Sequence, residues 1–249
     1  MVIPSAGIDA RAAAQSEPGA QATGPGIVAR PGAYTQLTHP DCVRARDETT
    51  LPADATVIGV QRGGESCGYP LRVMRAHRIV NDSLRGPFLV TYCADSDSAR
   101  AFDPVVDGRT LSFHFHGWHQ GATFLADEQT GSLWSHVTGR CVAGPLRGTT
   151  LRPIPTLVTK WGQWKTLHPE SWVLAFDYSQ AYPAAGKSAP GPEALQSTTR
   201  QDDRLPPDAE ILVVWTGESA RSYRLPPEPA AWYDPADGRG VIVLRGSGD

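Results

Sequence analysis

The chain has 249 residues, enough for one large domain or two small ones with a core that stands unaided. Hydrophobic residues make up 40% and charged residues 20%, which excludes an intrinsically disordered chain, and no apolar run approaches the roughly 18–20 residues of a membrane helix. A net charge of −3 gives no broad attraction to nucleic acid or an anionic bilayer, and the first residues lack the basic start and apolar run of a secretory signal, so a cytoplasmic location is expected.

Residues 1–35 are rich in Ala, Gly, Pro and Ser without apolar periodicity and read as an irregular extension. Short apolar runs then alternate with Gly, Pro and Asp. The expected strands are Thr56–Gln61, Ser66–Val73, Pro87–Cys93, Thr110–His116, Leu133–Val137 and Ser171–Asp177, with Arg62-Gly63-Gly64 and Asp107-Gly108 as hairpin turns. Two segments read as helical. They are Leu71–Ile79 and Val158–His168, the second carrying Trp161, Trp164 and Leu167 at three-residue spacing before Pro169. Within Pro87–Cys93, Phe88, Val90 and Tyr92 alternate with Leu89, Thr91 and Cys93. Trp161, Trp164 and Trp172 read as core or groove walls. The fold class is mainly β (α+β at most): an antiparallel β-rich single domain with few short helices.

Residues 179–204 are again rich in Pro, Ala and Gly and read as a long loop between a core at 36–178 and a C-terminal segment at 205–249. That segment repeats earlier sequence. Leu205–Leu225 aligns without gaps on Leu51–Leu71 with eight identities in 21 positions, which predicts a duplicated hairpin packing on the core, followed by a strand at Gly240–Leu244. The second copy lacks a counterpart of His77–Asp82, so any chemistry is expected in the first copy and the segment after it.

Several ordered strings carry a family resemblance: YPLRVMRAHRIVND (Tyr69–Asp82), FLVTYC (Phe88–Cys93), AFDPVVDGRTLSF (Ala101–Phe113), SLWSHVTGRCVAGPLRGTTL (Ser132–Leu151) and WGQWKTLHPESWVL (Trp161–Leu174). Over Pro40–Leu225 the chain resembles a bacterial domain-of-unknown-function family, number 3179. Its members carry AYPL, H-E-I-V-N-D, T-Y-C-P-L-C, T-x-S-L-W-S-Q and W-x-x-W…H-P in this order. His77 matches the family histidine, and a partial second AYPL-type repeat is common there. The chain departs from that pattern at Ser96, where the family has its second cysteine, and at His136, where it has glutamine. A third departure is the stretch Phe113–His119, which is glycine-rich in the family and histidine-rich here.

The histidines define the expected site. On a strand through Leu111–His116 a period of two puts His114 and His116 on one face, about 7 Å apart at the backbone and within reach of one metal ion. Gly117 permits a bend that returns His119 as a third ligand, and His136 is a further candidate. A solvated polar strand face is the competing reading. Cys93 is open to three roles: thiolate ligand, nucleophile paired with His77, or inert buried thiol. Asn81 and Asp82 are expected to cap or orient a turn, with Asp82 kept beside Cys93 and His77 as a catalytic candidate. Cys42, Cys67 and Cys141 read as small buried hydrophobes, with a Cys42–Cys67 bridge left open. Imidazoles with an optional thiolate favour copper, with iron or zinc open. Two functions are compatible with this pattern. One is a metal-dependent, copper-favoured redox enzyme (oxidase or oxygenase type) acting on a small-molecule substrate in bacterial biosynthesis; the other is a non-catalytic β-rich metal- or ligand-binding module.

Overall fold

A strand with two apolar faces must be covered on both, and Pro87–Cys93 is such a strand. The computed structural model describes residues 26–119, 121–179, 209, 211–216, 219–225, 230–234 and 241–245. In chain order it begins with β1 (Val28–Ala29), β2 (Leu37–Thr38), β3 (Cys42–Arg44), β4 (Thr56–Arg62), β5 (Glu65–Pro70) and the helix α1 (Leu71–His77). Then come β6 (Ile79–Ser83), β7 (Pro87–Cys93), β8 (Ser98–Asp103), β9 (Val105–Val106), β10 (Arg109–Thr110) and β11 (Phe113–His119). They are followed by β12 (Ala122–Asp127), β13 (Leu133–Ser135), β14 (Cys141–Ala143), β15 (Arg152–Ile154), β16 (Thr156–Lys160), α2 (Trp161–Leu167) and β17 (Trp172–Leu174). No helix among the described residues is long and apolar enough to cross a membrane.

Three five-stranded sheets form three layers. The middle sheet has the order β15-β8-β7-β6-β2, one outer sheet β16-β4-β5-β17-β3, and the other β1-β11-β12-β13-β14. Pairing is antiparallel except for β2 with β6 and β5 with β17. The alternation on β7 decides the layering. Phe88, Val90 and Tyr92 join a core with Ile58, Val60, Trp161 and Trp164, while Leu89 joins the opposite core with Phe113, Phe115 and Trp134. The fold is therefore the β-rich, mainly antiparallel architecture that the sequence indicates, with two short helices on one side.

The middle sheet also fastens the layers through the adjacent pair Asn81 and Asp82. These residues lie inside β6 rather than in a turn, so successive side chains face opposite layers. Asn81 donates to the Phe113 carbonyl (2.8 Å) and accepts from the Phe113 amide (2.8 Å), as a short strand would. Asp82, on the other face, accepts from Tyr69 of the opposite sheet.

Several expected boundaries and one alternation are corrected; the expected segments Leu71–Ile79, Leu133–Val137 and Ser171–Asp177 shorten to Leu71–His77, Leu133–Ser135 and Trp172–Leu174. Thr110–His116 is two strands in different sheets, since Arg109–Thr110 pairs with β9 while Phe113 opens β11. A register shift between Phe115 and Gly117 places a bulge at His116, so the strict alternation of His114 and His116 fails there. The expected strand through Val73 stops at Pro70, after which α1 begins. The expected helix from Val158 starts only at Trp161. Thr156–Lys160 is instead β-branched edge strand on β4, and the Ala55 and Ala53 carbonyls accept the first helical amides of Trp161 and Gly162, each at 2.8 Å.

The chain divides into two compact units, Met1–Thr199 and Arg200–Asp249. The described part of the second contains the hairpins β18 (Ile211–Thr216) with β19 (Ser219–Arg224) and β20 (Ala230–Asp234) with β21 (Val241–Arg245). The duplication is structural. Ile58 pairs with Tyr69 and Leu212 with Tyr223, and all six pairs of the β18–β19 ladder sit where the gapless alignment puts their β4–β5 counterparts. Residues 1–25 and 180–208 lie outside the described residues, and Val28–Ala29 of the expected N-terminal extension form an edge strand on β11.

Candidate functional site

Period two along β5 puts Glu65, Cys67 and Tyr69 on one sheet face, and the register of β17 adds Trp172 opposite Cys67. Cys42 comes from β3, on the far side of β17. Asp82 and Phe88 come from the middle sheet and Leu84 from the turn between their strands. Together with Pro40 and Ser83, these residues line a cavity of ≈ 240 Å³. Ser83 is exposed at its mouth, whereas Tyr69 and Phe88 are buried.

Its polar floor is the pair Tyr69 and Asp82, which meet from two sheets. The Tyr69 hydroxyl donates to Asp82 Oδ2 at 2.7 Å, and the Ser83 amide donates to Asp82 Oδ1 at 2.7 Å. Burial raises the Asp82 carboxyl above its usual range, against the two donors and the His39 charge, which hold it down. Burial also pushes the Tyr69 hydroxyl well up, so Tyr69 stays protonated and works as a donor. Each carboxylate oxygen keeps a second lone pair for a cavity occupant.

The wall beside this floor carries two thiols. Cys42 Sγ and Cys67 Sγ lie 3.9 Å apart and are free. The shared Cys42 contact, followed by burial, holds the Cys67 thiol well above its ordinary value. Trp172 is steadied by the Arg44 guanidinium, 3.8 Å from its ring centroid, and Arg44 in turn donates to the Glu170 carbonyl at 2.8 Å. Arg85 pairs with Glu65 at 2.7 Å on the rim.

The histidines are placed elsewhere. His114 and His116 are near enough on β11 for the His114 charge to add to burial in lowering His116. His119 Nδ1 lies 2.8 Å from the Gly26 carbonyl. His136 is fully buried between hydroxyls, with Nδ1 2.7 Å from Thr91 Oγ1 and Nε2 2.9 Å from Ser98 Oγ. Ser98 continues to Ser96 at 2.7 Å, so two of the family departures, Ser96 and His136, belong to one hydrogen-bonded chain. Cys93 is buried with its sulfur 3.9 Å from the Gly121 carbonyl, and His77 Nδ1 lies 2.7 Å from the Thr35 carbonyl. Among the described residues no group of three or more His, Cys, Asp or Glu side chains is placed to hold a metal ion.

Of the expected site residues, Asp82 alone lines the cavity; the neighbours it gains there are Tyr69, Cys67, Cys42 and Trp172. For Cys67 and Tyr69 the signal is the period-two face they share with Glu65 ahead of Pro70, whereas Cys42 and Trp172 come from other strands. Trp172 does form a groove wall, and Trp161 and Trp164 are core.

Fold and cavity thus define a layered, β-rich protein with a small polar-floored pocket. Residues 34–227 match the family described as Protein of unknown function (DUF3179), and the chain belongs to that family. No curated protein and no solved structure matches it.

Proposed function

We propose that this protein is a β-rich binding module whose cavity takes a small molecule with an apolar ring or chain and a hydrogen-bond-donating head, an amine above all. The supporting observation is the Tyr69–Asp82 pair at 2.7 Å, contributed by two sheets and set beneath the apolar walls of Phe88, Leu84 and Trp172. A cavity of ≈ 240 Å³ lies below the roughly 300–1,000 Å³ of drug-sized sites, which suits a single ring with a short side chain. A cationic head offsets the desolvation of Asp82 and takes the carboxylate lone pairs that Tyr69 and Ser83 leave.

Benzylamine is a suitable probe. Calorimetric titration is expected to show one binding event, weakened about 10–100-fold by Asp82→Asn, as befits loss of a charge-assisted hydrogen bond. Benzyl alcohol should lose less. Equal benzylamine affinity in wild type and Asp82→Asn contradicts the reading. Copper-dependent redox chemistry, the other reading of the sequence, keeps one support in this cavity, the thiol pair in its wall.

A further inference from the structure

The geometry points to Cys42 and Cys67 as a two-coordinate site for a soft monovalent metal ion, copper(I) being the biological one. The site shares the cavity described above but does not require an organic ligand to occupy it.

Three observations carry this assignment. The sulfurs lie 3.9 Å apart, Cys67 is 2% exposed and Cys42 half-buried, and both thiols are free and line one cavity. Next, the spacing suits a bridging ion better than a bond. A disulfide needs the sulfurs near 2.05 Å, a closure of roughly 1.9 Å, and Cα atoms within about 7 Å. With β17 between β3 and β5, the backbones stand two strand spacings apart, roughly 9–10 Å. With the zinc–thiolate bond of about 2.3 Å as an upper guide, a linear sulfur–metal–sulfur unit spans at most about 4.6 Å, an opening of no more than roughly 0.7 Å that side-chain rotation supplies. Finally, the donor set limits the ion. Thiolates select soft metals, but zinc and iron–sulfur centres want four ligands, and the described residues offer no group of three or more. Two sulfurs suit an ion content with two.

The reaction is ligand exchange without electron transfer. Two thiols and one copper(I) ion give a bis-thiolate complex of net charge −1 and two released protons. Phe88 and Trp172 supply apolar walls beside the bound ion.

The test is an anaerobic titration of the reduced full chain with copper(I) against the chelator bicinchoninate. The expected result is one equivalent retained by the wild type, with affinity lowered at least about 100-fold in Cys42→Ser and in Cys42→Ala, more than a mere neighbour of a ligand commands. A Cys93→Ser/Cys141→Ser double variant should retain copper as the wild type does. Thermal midpoints check that the Cys42 variants fold, and X-ray absorption at the copper edge should show a two-sulfur shell. Undiminished retention in folded Cys42→Ser overturns the proposal. So does a nitrogen-rich shell abolished by His114→Ala/His116→Ala, which assigns the ion to the histidine strand.

Discussion

Gly59→Ala is expected to destabilise the protein by about 3–5 kcal/mol, although it adds a single methyl group. Gly59 lies on β4 with the Trp164 indole flat against its Cα. An added Cβ would fall 2.0 Å from Cζ3 and 2.4 Å from Cε3 of that ring. Trp164 is fully buried, and Gly68 across the ladder also faces its ring, so the indole has no room to retreat. The methyl group therefore displaces one of the two tryptophans of this core, and the cost approaches that of deleting it. At roughly 2–4 °C per kcal/mol for a chain of this size, the thermal midpoint should fall by about 6–20 °C. A double-mutant cycle separates this cause from a general intolerance of alanine on β4. In a Trp164→Ala background Gly59→Ala should cost under about 1 kcal/mol, because the atom it collides with is gone. Equal costs in the two backgrounds would reject the account. The duplicated hairpin carries Val213 at the matching position, so it cannot accept an indole in the same way.

Acid should destabilise the protein through His136. Burial first, and then the Arg100 charge, push its imidazole from the ordinary 6.5 down to about 3. The unfolded chain therefore binds a proton in the interval that the folded chain refuses, and stability falls as pH drops from about 6.5 toward about 3. The contribution at pH 5 is about 2 kcal/mol, on the order of 4–5 kcal/mol over the whole interval. Chemical denaturation from pH 7.5 to 5 checks this. His136→Gln, which installs the residue the family pattern carries, keeps a donor and an acceptor for Thr91 and Ser98 but does not titrate. Its stability relative to wild type should rise by about 2 kcal/mol between pH 7.5 and 5. Parallel pH profiles for the two proteins would show that the imidazole is not the source.

Local pattern made most of the fold legible. The alternation of Phe88, Val90 and Tyr92 with Leu89, Thr91 and Cys93 matches the two cores on either side of β7. Gly63 and Gly64 make the β4–β5 turn with φ of 58° and 84°, and Asp107 with Gly108 does the same between β9 and β10. The gapless repeat placed the second hairpin in register. What the pattern misread depends on tertiary context. Leu111 and Ser112 interrupt a run of strand-forming residues only because its two ends belong to different sheets. Lys160 ends a strand and begins a helix because β4 and the 53–55 segment supply partners for both.

The cavity was less legible for a related reason. Its walls come from residues 40–42, 65–69, 82–88 and 172, which periodicity alone assigns to separate elements. Asp82 entered through the His77–Asp82 stretch that the family pattern shares, yet its role depends on Tyr69, thirteen residues earlier and on another sheet. Histidine density drew attention to Phe113–His119, whereas the structure gives His119 a backbone carbonyl as partner and His136 two hydroxyls.

The most direct test of the cavity as the ligand site is where a bound probe perturbs the protein. In an NMR titration with benzylamine, the account predicts saturable shifts of the Trp172 indole N–H and the Cys67 and Asp82 amides, with the His114 and His116 amides unmoved. Shifts centred on His114–His119 with the Trp172 and Asp82 signals unchanged would contradict it.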